Sequence, residues 1–333
     1  MTTQRWSVRL RIAGGIAALG LLAGACSGGD DPEAPKRTAP TPQGSSGECG
    51  ELRLAYNPDN GFEASTFIVG RLARDELGCD VTYVKTDARK AWRLVASGKV
   101  DAYLDAYGSA DLAEEYLVDG SPVTQLGSNG VRGGVDLLAP YYFNEYRIVT
   151  SRDLPELPPN VFGSPGPRLF TTDQLIPLAT SFLESQRLEF RLRDYIDTHP
   201  NATMGDLLVA PRLDDEARRP DFYLVAAPRA FLGNGPGRLS VQIPGSSADE
   251  CTYATTTSLC SLDDFTYQKI VNTEFAESGN PAYTLIYNYR LRAIHATTVL
   301  EIVQLSGFRV AEADVASWIN THPRAWRRWL ETP

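Results

Sequence analysis

Five cysteines are the residues whose spacing says most about the chemistry of this 333-residue chain. Cys49 and Cys79 each stand just before a short apolar run, whereas Cys251 and Cys260 flank a short polar loop. If the two apolar runs are neighbouring parallel strands, Cys49 and Cys79 lie at the same edge of one sheet. Four cysteines allow three connectivities, and we favour 49–79 with 251–260. An even number of paired cysteines fits an exported, oxidising compartment.

The fifth cysteine, Cys26, ends an apolar run and predicts a position at the membrane surface. Residues 12–25 are apolar and follow three arginines, and the run is too short to span a bilayer as a helix. This arrangement is typical of a secretory signal peptide over residues 1–25. The small residues before Cys26 resemble a bacterial lipobox, whose cysteine is lipidated and becomes the new N-terminus. The alternative is ordinary secretion with cleavage nearby.

The segment that follows the signal peptide predicts a flexible tether over residues 26–48. After Cys26 it contains Pro, Gly, Ser, Thr and charged residues but no large apolar side chain, so it cannot bury enough surface to offset its ordering entropy. No later stretch offers about eighteen consecutive apolar residues. We therefore expect a lipid-anchored protein on the extracytoplasmic face of the cell membrane.

Composition and motifs argue against several function classes. The formal net charge of −9 disfavours nucleic acid as a partner. The sequence has no GxSxG elbow, Walker loop, HExxH or GxGxxG, and no CxxC spacing that would suit a metal. We expect a protein that is not an enzyme and has no catalytic residues, metal or cofactor, with an exported hydrolase as the less favoured alternative.

The folded remainder reads as alternating strands and helices, which predicts an α/β fold. Strands are expected at 51–56, 80–85 and 100–107, with helices at 63–77 and 90–97 between them. This βαβαβ order implies a parallel sheet with right-handed crossovers. Tyrosines 103 and 107 are expected to face the same side of the third strand. Ligands of open α/β sheets bind beyond the carboxyl ends of the strands, so the loops 57–62 and 105–109 should border a cleft.

Several ordered motifs then resemble the substrate-binding proteins of glycine betaine/choline-type ABC transporters. The resemblance covers about residues 50–145 and 220–331. It is carried by AYNPDNGFEAS, AWRLVASGKVDAYLDAYG, VTQLGSNGVRGGVDLLAPYY, CSLDDFTYQKIVN and ASWINTHPRAWRRWLE. The chain is similar to a divergent member of that family.

The resemblance implies a two-lobed clamshell of the type II periplasmic-binding-protein kind, each lobe a central mixed or parallel sheet flanked by helices. Lobe one would hold residues 49–144 and 245–333, and lobe two residues 145–244. The chain would cross between the lobes near Pro140–Asn144 and Leu239–Pro244. The ligand would lie in the cleft between them.

The resemblance also implies a ligand site, which the chain matches in part. Family members hold a quaternary ammonium in a box of aromatic rings. Asn57 and Asp59 lie in the first loop of this site, where Asp59 stands in the position of a family Trp. Asp105 and Tyr107 match an acidic residue followed by an aromatic one. The remaining candidates are Tyr141, Tyr142 and, where the family has His, Arg229.

Two ligand chemistries stay open on these residues. Tyr107 with Tyr141 or Tyr142 would hold a quaternary ammonium, whereas Asp59 and Arg229 would clamp a zwitterion that offers N–H donors and a carboxylate. Asp59 as a helix cap and Arg229 as a solvated surface residue are the structural alternatives. The expected protein is a monomeric binding component that delivers a small cationic or zwitterionic amine to an ABC permease. A sensor or surface lipoprotein on the same scaffold is the alternative.

Overall fold

The computed structural model describes residues 39–42, 48–58, 62–107, 110–163, 166–200, 202–243 and 265–333. Within these ranges the chain has a mixed α/β fold whose nine strands form one sheet. The strands are β1 (Glu51–Tyr56), β2 (Asp80–Lys85), β3 (Ala102–Ala106), β4 (Val123–Pro140), β5 (Arg168–Thr171), β6 (Arg191–Asp194), β7 (Phe222–Pro228), β8 (Arg238–Val241) and β9 (Phe265–Asn272).

The helices of the described ranges pack along the whole sheet. They are α1 (Ala64–Leu77), α2 (Ala88–Ala96), α3 (Ala110–Tyr116), α4 (Pro159–Phe162), α5 (Ile176–Gln186), α6 (Tyr195–Thr198), α7 (Met204–Ala217), α8 (Thr273–Glu277), α9 (Pro281–Asn288), α10 (Ala293–Leu305), α11 (Glu312–Thr321) and α12 (Pro323–Trp326). Along β1, Leu54 joins the core that contains α1, and the next residue, Ala55, joins the core that contains α2. This alternation is the period of two that a strand buried on both faces requires.

The first three strands lie as the sequence predicts. β1 pairs in parallel with β2 and with β3, and the bounds of β1 and β2 are those expected. The expectation that Tyr103 of β3 and Tyr107, the residue after β3, share a face is wrong. A register shift between Tyr103 and Ala106 interrupts the alternation, so Tyr103 packs in the α2-side core and Tyr107 in the α1-side core.

The centre of the sheet comes from distant parts of the chain. The strand order is β2-β1-β3-β9-β4-β7-β5-β6, and β8 pairs with β4. β9 is antiparallel to both β3 and β4, and β4 is antiparallel to β7 and β8. The sheet is therefore mixed, with parallel strands at each side of an antiparallel centre.

The 18-residue strand β4 belongs to both halves of the sheet. Its first part, up to Gly133, pairs with β9, and its second part, from Gly133 to Pro140, pairs with β7 and β8. The change of partner thus occurs at Gly133, upstream of the crossover expected at Pro140–Asn144. We refer to the strands β2, β1, β3 and β9 as the first half of the sheet, and to β7, β5, β6 and β8 as the second half.

A disulfide joins Cys49 to Cys79, the pairing that the strand argument favours. The two cysteines lie at the amino ends of β1 and β2, where the amide of Asp80 also donates to the carbonyl of Gly50 at 2.8 Å. The bridge spans 30 positions of sequence. Restricting a loop of this length in the unfolded chain stabilises the fold by about 3–4 kcal/mol. Cys26, Cys251 and Cys260 lie outside the described residues.

The described helices are also informative about membrane insertion. Not one of the helices in the described ranges combines the length and the apolar character needed to cross a bilayer.

Candidate ligand-binding site

The carboxyl end of β7 and the amino end of β9, strands from the two halves of the sheet, meet at one residue of β4. Gly133 pairs with Phe265 of β9 on one side and with Pro228, the last residue of β7, on the other. β3 ends nearby, since its last residue, Ala106, pairs with Gln268 of β9. The strand ends of the two halves therefore point toward each other. This junction is where the topology of an open α/β sheet favours a ligand.

Four aromatic rings lie together on the first-half side of the junction, and we call them the aromatic cluster: Phe62, Tyr107, Phe265 and Tyr267. The rings of Tyr107 and Phe265 stack with centroids 4.8 Å apart, and Tyr267 lies 5.3 Å from Tyr107 and 5.4 Å from Phe265. Phe62 contacts Tyr267 at 6.3 Å. These separations are typical of aromatic pairs that stabilise one another beyond simple burial.

Gly133 makes room for this cluster. A Cβ atom at Gly133 would overlap the ring of its strand partner Phe265. Only glycine allows the ring to pack this close to the backbone of β4 at this point. The backbone of β4 thus forms one wall of the aromatic cluster.

One hydrogen bond connects the aromatic cluster to the second half of the sheet. The side chain of Gln174 donates from Nε2 to the backbone carbonyl of Tyr107 at 3.2 Å. Gln174 lies in the short 3-10 helix Asp173–Leu175, just beyond the carboxyl end of β5. Residues from both halves therefore meet at the peptide of Tyr107.

A buried polar network lies behind Tyr107 and consists of Asp105, Asn129, Ser65 and Thr66. The amide of Asn129 donates to Asp105 Oδ1 at 3.0 Å, to the carbonyl of Leu104 at 3.0 Å and to Ser65 Oγ at 3.3 Å. Thr66 donates to the other oxygen of Asp105 at 3.5 Å. The network joins β3, β4 and the first turn of α1, and so fixes the end of β3 that carries Tyr107.

Burial controls the ionisation of Asp105. The side chain is fully buried, and this desolvation raises the pKa of its carboxyl group well above the usual value, with a further increase from the nearby negative charge of Glu63. Hydrogen bonds from Ser65, Asn129 and Thr66 oppose the increase in the pKa. Asp105 therefore supports the end of β3 from within the core.

Arg229 lies on the other side of β4. Its guanidinium binds the carboxylate of Asp136 at 3.0 Å, and a Cβ at Gly134 would overlap that guanidinium. Because successive residues of a strand face opposite sides, Gly134 and Asp136 face away from Phe265. Arg229 is therefore close to the junction along β4 but is separated from the aromatic cluster by the sheet.

Asp136 is held by further donors besides Arg229. The amide of Gly233 donates to its Oδ2 at 2.8 Å, and the hydroxyl of Ser240 donates to the same oxygen at 3.0 Å. The Arg229–Asp136 pair is thus part of a structured contact that ties β4 to the residues after β7.

The remaining predicted site residues occupy different places. Asn57 is buried directly after β1, at the same sheet edge as Tyr107. Tyr141 and Tyr142 follow the far end of β4, where Tyr141 is exposed, while Tyr142 stacks on Phe143 and lies under Arg218. The structure does not bring them to the aromatic cluster, because the strand from Gly133 to Pro140 separates them by about 23 Å. Asp59 lies outside the described residues.

Sequence reasoning missed three of the four rings. Phe265 and Tyr267 stand two positions apart at the start of β9, so their side chains face the same side of the strand. That i, i+2 spacing in FTYQKIVN was a usable signal. Phe62 ends the loop 57–62, and no local pattern marks it as part of a cluster. Among the described residues, no group of His, Cys, Asp and Glu is arranged to hold a metal ion.

Comparison with known proteins agrees with this architecture. Residues 50–186 match the family model for the substrate binding domain of the ABC-type glycine betaine transport system. No curated protein sequence matches the chain.

Solved structures of the same fold cover most of the chain at low sequence identity. A lactococcal OpuAC complexed with glycine betaine is 17% identical with a TM-score of 0.62, covering 85% of this chain and 100% of its own. A choline-binding protein of an ABC transporter in complex with choline is 13% identical with a TM-score of 0.63, covering 85% and 92%. The glycine betaine/L-proline-binding protein ProX from Borrelia burgdorferi is 11% identical with a TM-score of 0.62, covering 84% and 98%. At these identities the likeness establishes the fold alone.

Proposed function

We propose that this chain, whose residues 50–186 match the family model for the substrate binding domain of the ABC-type glycine betaine transport system, is a divergent member of the glycine betaine/choline-type substrate-binding proteins and binds a small quaternary or otherwise cationic amine at the aromatic cluster. The observation that carries the proposal is the position of the rings of Tyr107, Phe265 and Tyr267 where the strand ends of both sheet halves converge. The protein would deliver this ligand to an ABC permease.

The chemistry of the cluster favours a cation that has no N–H to donate. Ring faces attract such a cation electrostatically, and each desolvated contact contributes on the order of 1–2 kcal/mol. Three rings within 5.4 Å of one another offer several faces to a tetrahedral ammonium. Phe265 stacks on one face of Tyr107, so the ammonium would have to separate these two rings and lie between them.

The contacts of Arg229 argue against the zwitterion clamp. A carboxylate ligand would have to share the guanidinium of Arg229 with Asp136, which Arg229 and two other donors already bind. A ligand carboxylate bound to Arg229 would also lie on the opposite side of β4 from the aromatic rings. The aromatic mode therefore has more support than the charged clamp.

Isothermal titration calorimetry with glycine betaine and choline tests the proposal, with L-lysine as a cation that offers N–H donors. We expect Tyr107→Ala to weaken the better ligand by about 5–30-fold, because one ring contact is lost. Tyr107→Phe keeps the ring and should bind within about threefold of the wild type. Tyr146→Ala, an exposed tyrosine away from the cluster, is the matched control. Binding of lysine alone, or equal loss in Tyr146→Ala, would refute the aromatic site.

Transport of this kind also requires a closing motion. We infer two lobes that meet at Gly133, with the hydrogen bond from Gln174 to Tyr107 as a contact across the closed cleft. Small-angle scattering of the monomer should then show a smaller radius of gyration with ligand than without it. An unchanged radius in the presence of saturating ligand would argue for a rigid sensor or surface protein on the same scaffold.

The membrane anchor is a separate part of the proposal. The lipobox-like junction at Cys26 leads us to infer lipidation there and attachment to the extracytoplasmic face of the membrane. Detergent phase partitioning of cells that express the chain should place it in the detergent phase. A Cys26→Ala variant that partitions equally would contradict the anchor without affecting the ligand site.

A further inference from the structure

A cavity of about 340 Å³ lies between the loop that joins α9 to α10 and the 3-10 helix Arg327–Leu330; it shares no lining residue with the aromatic cluster, and we call it the arginine cavity. It is lined by Asn288, Arg290, Leu291, Arg292, Arg328 and Trp329. Its three arginines are exposed, whereas Leu291 and Trp329 are buried. The cavity thus presents three guanidinium groups to solvent above an apolar floor.

The backbone that carries two of these arginines is firmly held. The ammonium of buried Lys269 donates to the carbonyls of Ile286, Tyr287 and Tyr289 at 2.7–3.0 Å. It thus supplies hydrogen-bond donors to the carbonyl groups at the end of α9. The next residue but one after Tyr289, Leu291, donates its amide to the carbonyl of Asn129 at 2.8 Å. These contacts fix the loop from which Arg290 and Arg292 project.

A second set of contacts fixes the third arginine in relation to the loop. The side chain of Asn288 donates to the carbonyl of Trp329 at 3.2 Å and to that of Glu331 at 2.7 Å. Arg328 stands directly before Trp329 in the 3-10 helix Arg327–Leu330. Hydrogen bonds of the fold therefore hold the backbone of Arg328 beside the loop that carries Arg290 and Arg292.

The positive charge of the arginine cavity is not neutralised by the described part of the protein. The ion pairs among the described residues involve none of its three arginines. The pKa of the neighbouring His295 imidazole is lowered mainly by burial, and the positive charges of His322, Arg292 and Arg328 lower it further.

We propose that the arginine cavity binds a phosphate group, carried either by a free phosphate ester or by a phospholipid headgroup. Guanidinium groups bind phosphate oxygens in pairs, and a phosphate offers enough acceptor oxygens for all three arginines, which a single carboxylate does not. The apolar floor of Leu291 and Trp329 and the volume beyond the phosphate leave room for the organic group to which the phosphate is attached.

Calorimetric titration of the whole protein at constant ionic strength tests this site. The probes are inorganic phosphate, glycerol 3-phosphate and dihexanoylphosphatidylglycerol below its micelle concentration. We expect saturable binding of glycerol 3-phosphate, and we expect Arg290→Gln/Arg328→Gln to weaken it by at least about tenfold, since two charge-assisted contacts are lost. The matched control is Arg324→Gln/Arg327→Gln, which changes the net charge equally on residues that do not line the cavity. This control should bind within about twofold of the wild type.

The outcomes of these titrations distinguish the two sources of phosphate, and they distinguish the arginine cavity from the aromatic cluster. Binding of glycerol 3-phosphate without the short-chain lipid supports a free ester, and binding of both supports a headgroup. Glycine betaine or choline should bind the Arg290→Gln/Arg328→Gln variant as it binds the wild type, so failure of the aromatic site leaves this test intact. No saturable binding of any probe, or an equal loss in the control variant, would overturn the phosphate site.

Discussion

Gly133 is the residue at which a single methyl group should disturb the candidate site most. In Gly133→Ala the added Cβ overlaps the edge of the Phe265 ring, which must then move away from β4. The ring currently stacks on Tyr107 at 4.8 Å and meets Tyr267 at 5.4 Å. The substitution therefore disturbs the aromatic cluster by displacing the ring of Phe265.

The magnitude follows from the contacts that the moving ring gives up. Each aromatic pair contributes about 0.5–1.5 kcal/mol beyond burial, and overpacking a well-filled site costs about 1–3 kcal/mol. We expect Gly133→Ala to lower the free energy of unfolding by about 1–3 kcal/mol. Gly134→Ala is the matched control, because its Cβ meets the guanidinium of Arg229, a longer and more exposed side chain that can move aside.

A double-mutant cycle with Phe265→Ala isolates this mechanism. Guanidinium denaturation would be measured for the wild type, Gly133→Ala, Phe265→Ala and the double variant. Once the ring is gone, the extra methyl has nothing to displace, so the cost of Gly133→Ala should fall by at least about 1 kcal/mol. Additive effects, or a similar coupling between Gly134→Ala and Phe265→Ala, would refute the assignment of the Gly133 contact.

Three further predictions concern stability. Because burial raises the pKa of the Asp105 carboxyl in the folded state, the contribution of Asp105 to stability falls as the pH rises above about 4. The free energy of unfolding of Asp105→Asn should therefore increase relative to that of the wild type between pH 4 and 7. A difference that does not vary with pH in denaturation experiments would contradict this. Lys269→Met should cost about 2–4 kcal/mol in the same assay, since three buried carbonyls lose their donor, and a cost below about 1 kcal/mol would mean that water replaces the ammonium. Cys49→Ser/Cys79→Ser should lower the free energy of unfolding by about 3 kcal/mol. A reductant should destabilise the wild type but leave the stability of the first half of the sheet unchanged in this variant.

Local patterns in the sequence were enough to predict the first part of the fold. β1 and β2 are short apolar strands between clear turn and helix signals, and α1 ends at Gly78 with a positive φ of 69°, as helices often do. These features depend on residues close together in the chain. The pairing of Cys49 with Cys79 followed from the same local reasoning.

The candidate site could be predicted only in part because its contacts join distant segments. Phe265 reaches the aromatic cluster only because β9 inserts between β3 and β4, and no local pattern reveals that position. The partner of Arg229 is Asp136, 93 positions earlier, so the sequence could not show that the guanidinium was already engaged. The register shift in β3 likewise separated Tyr103 from Tyr107 against the simple period of two.

The position of the disulfide has a mechanical consequence for the segment that precedes the fold. Residues before Cys49 enter the sheet at the amino end of β1, and the bond to Cys79 ties that point to the amino end of the parallel strand β2. A pulling force applied through this segment is therefore divided between two strands at once. β1 cannot be peeled away alone, one hydrogen bond at a time, and the load must shear both strands together along their length. The covalent link thus makes the entry point of the chain the part of the sheet best suited to bear tension.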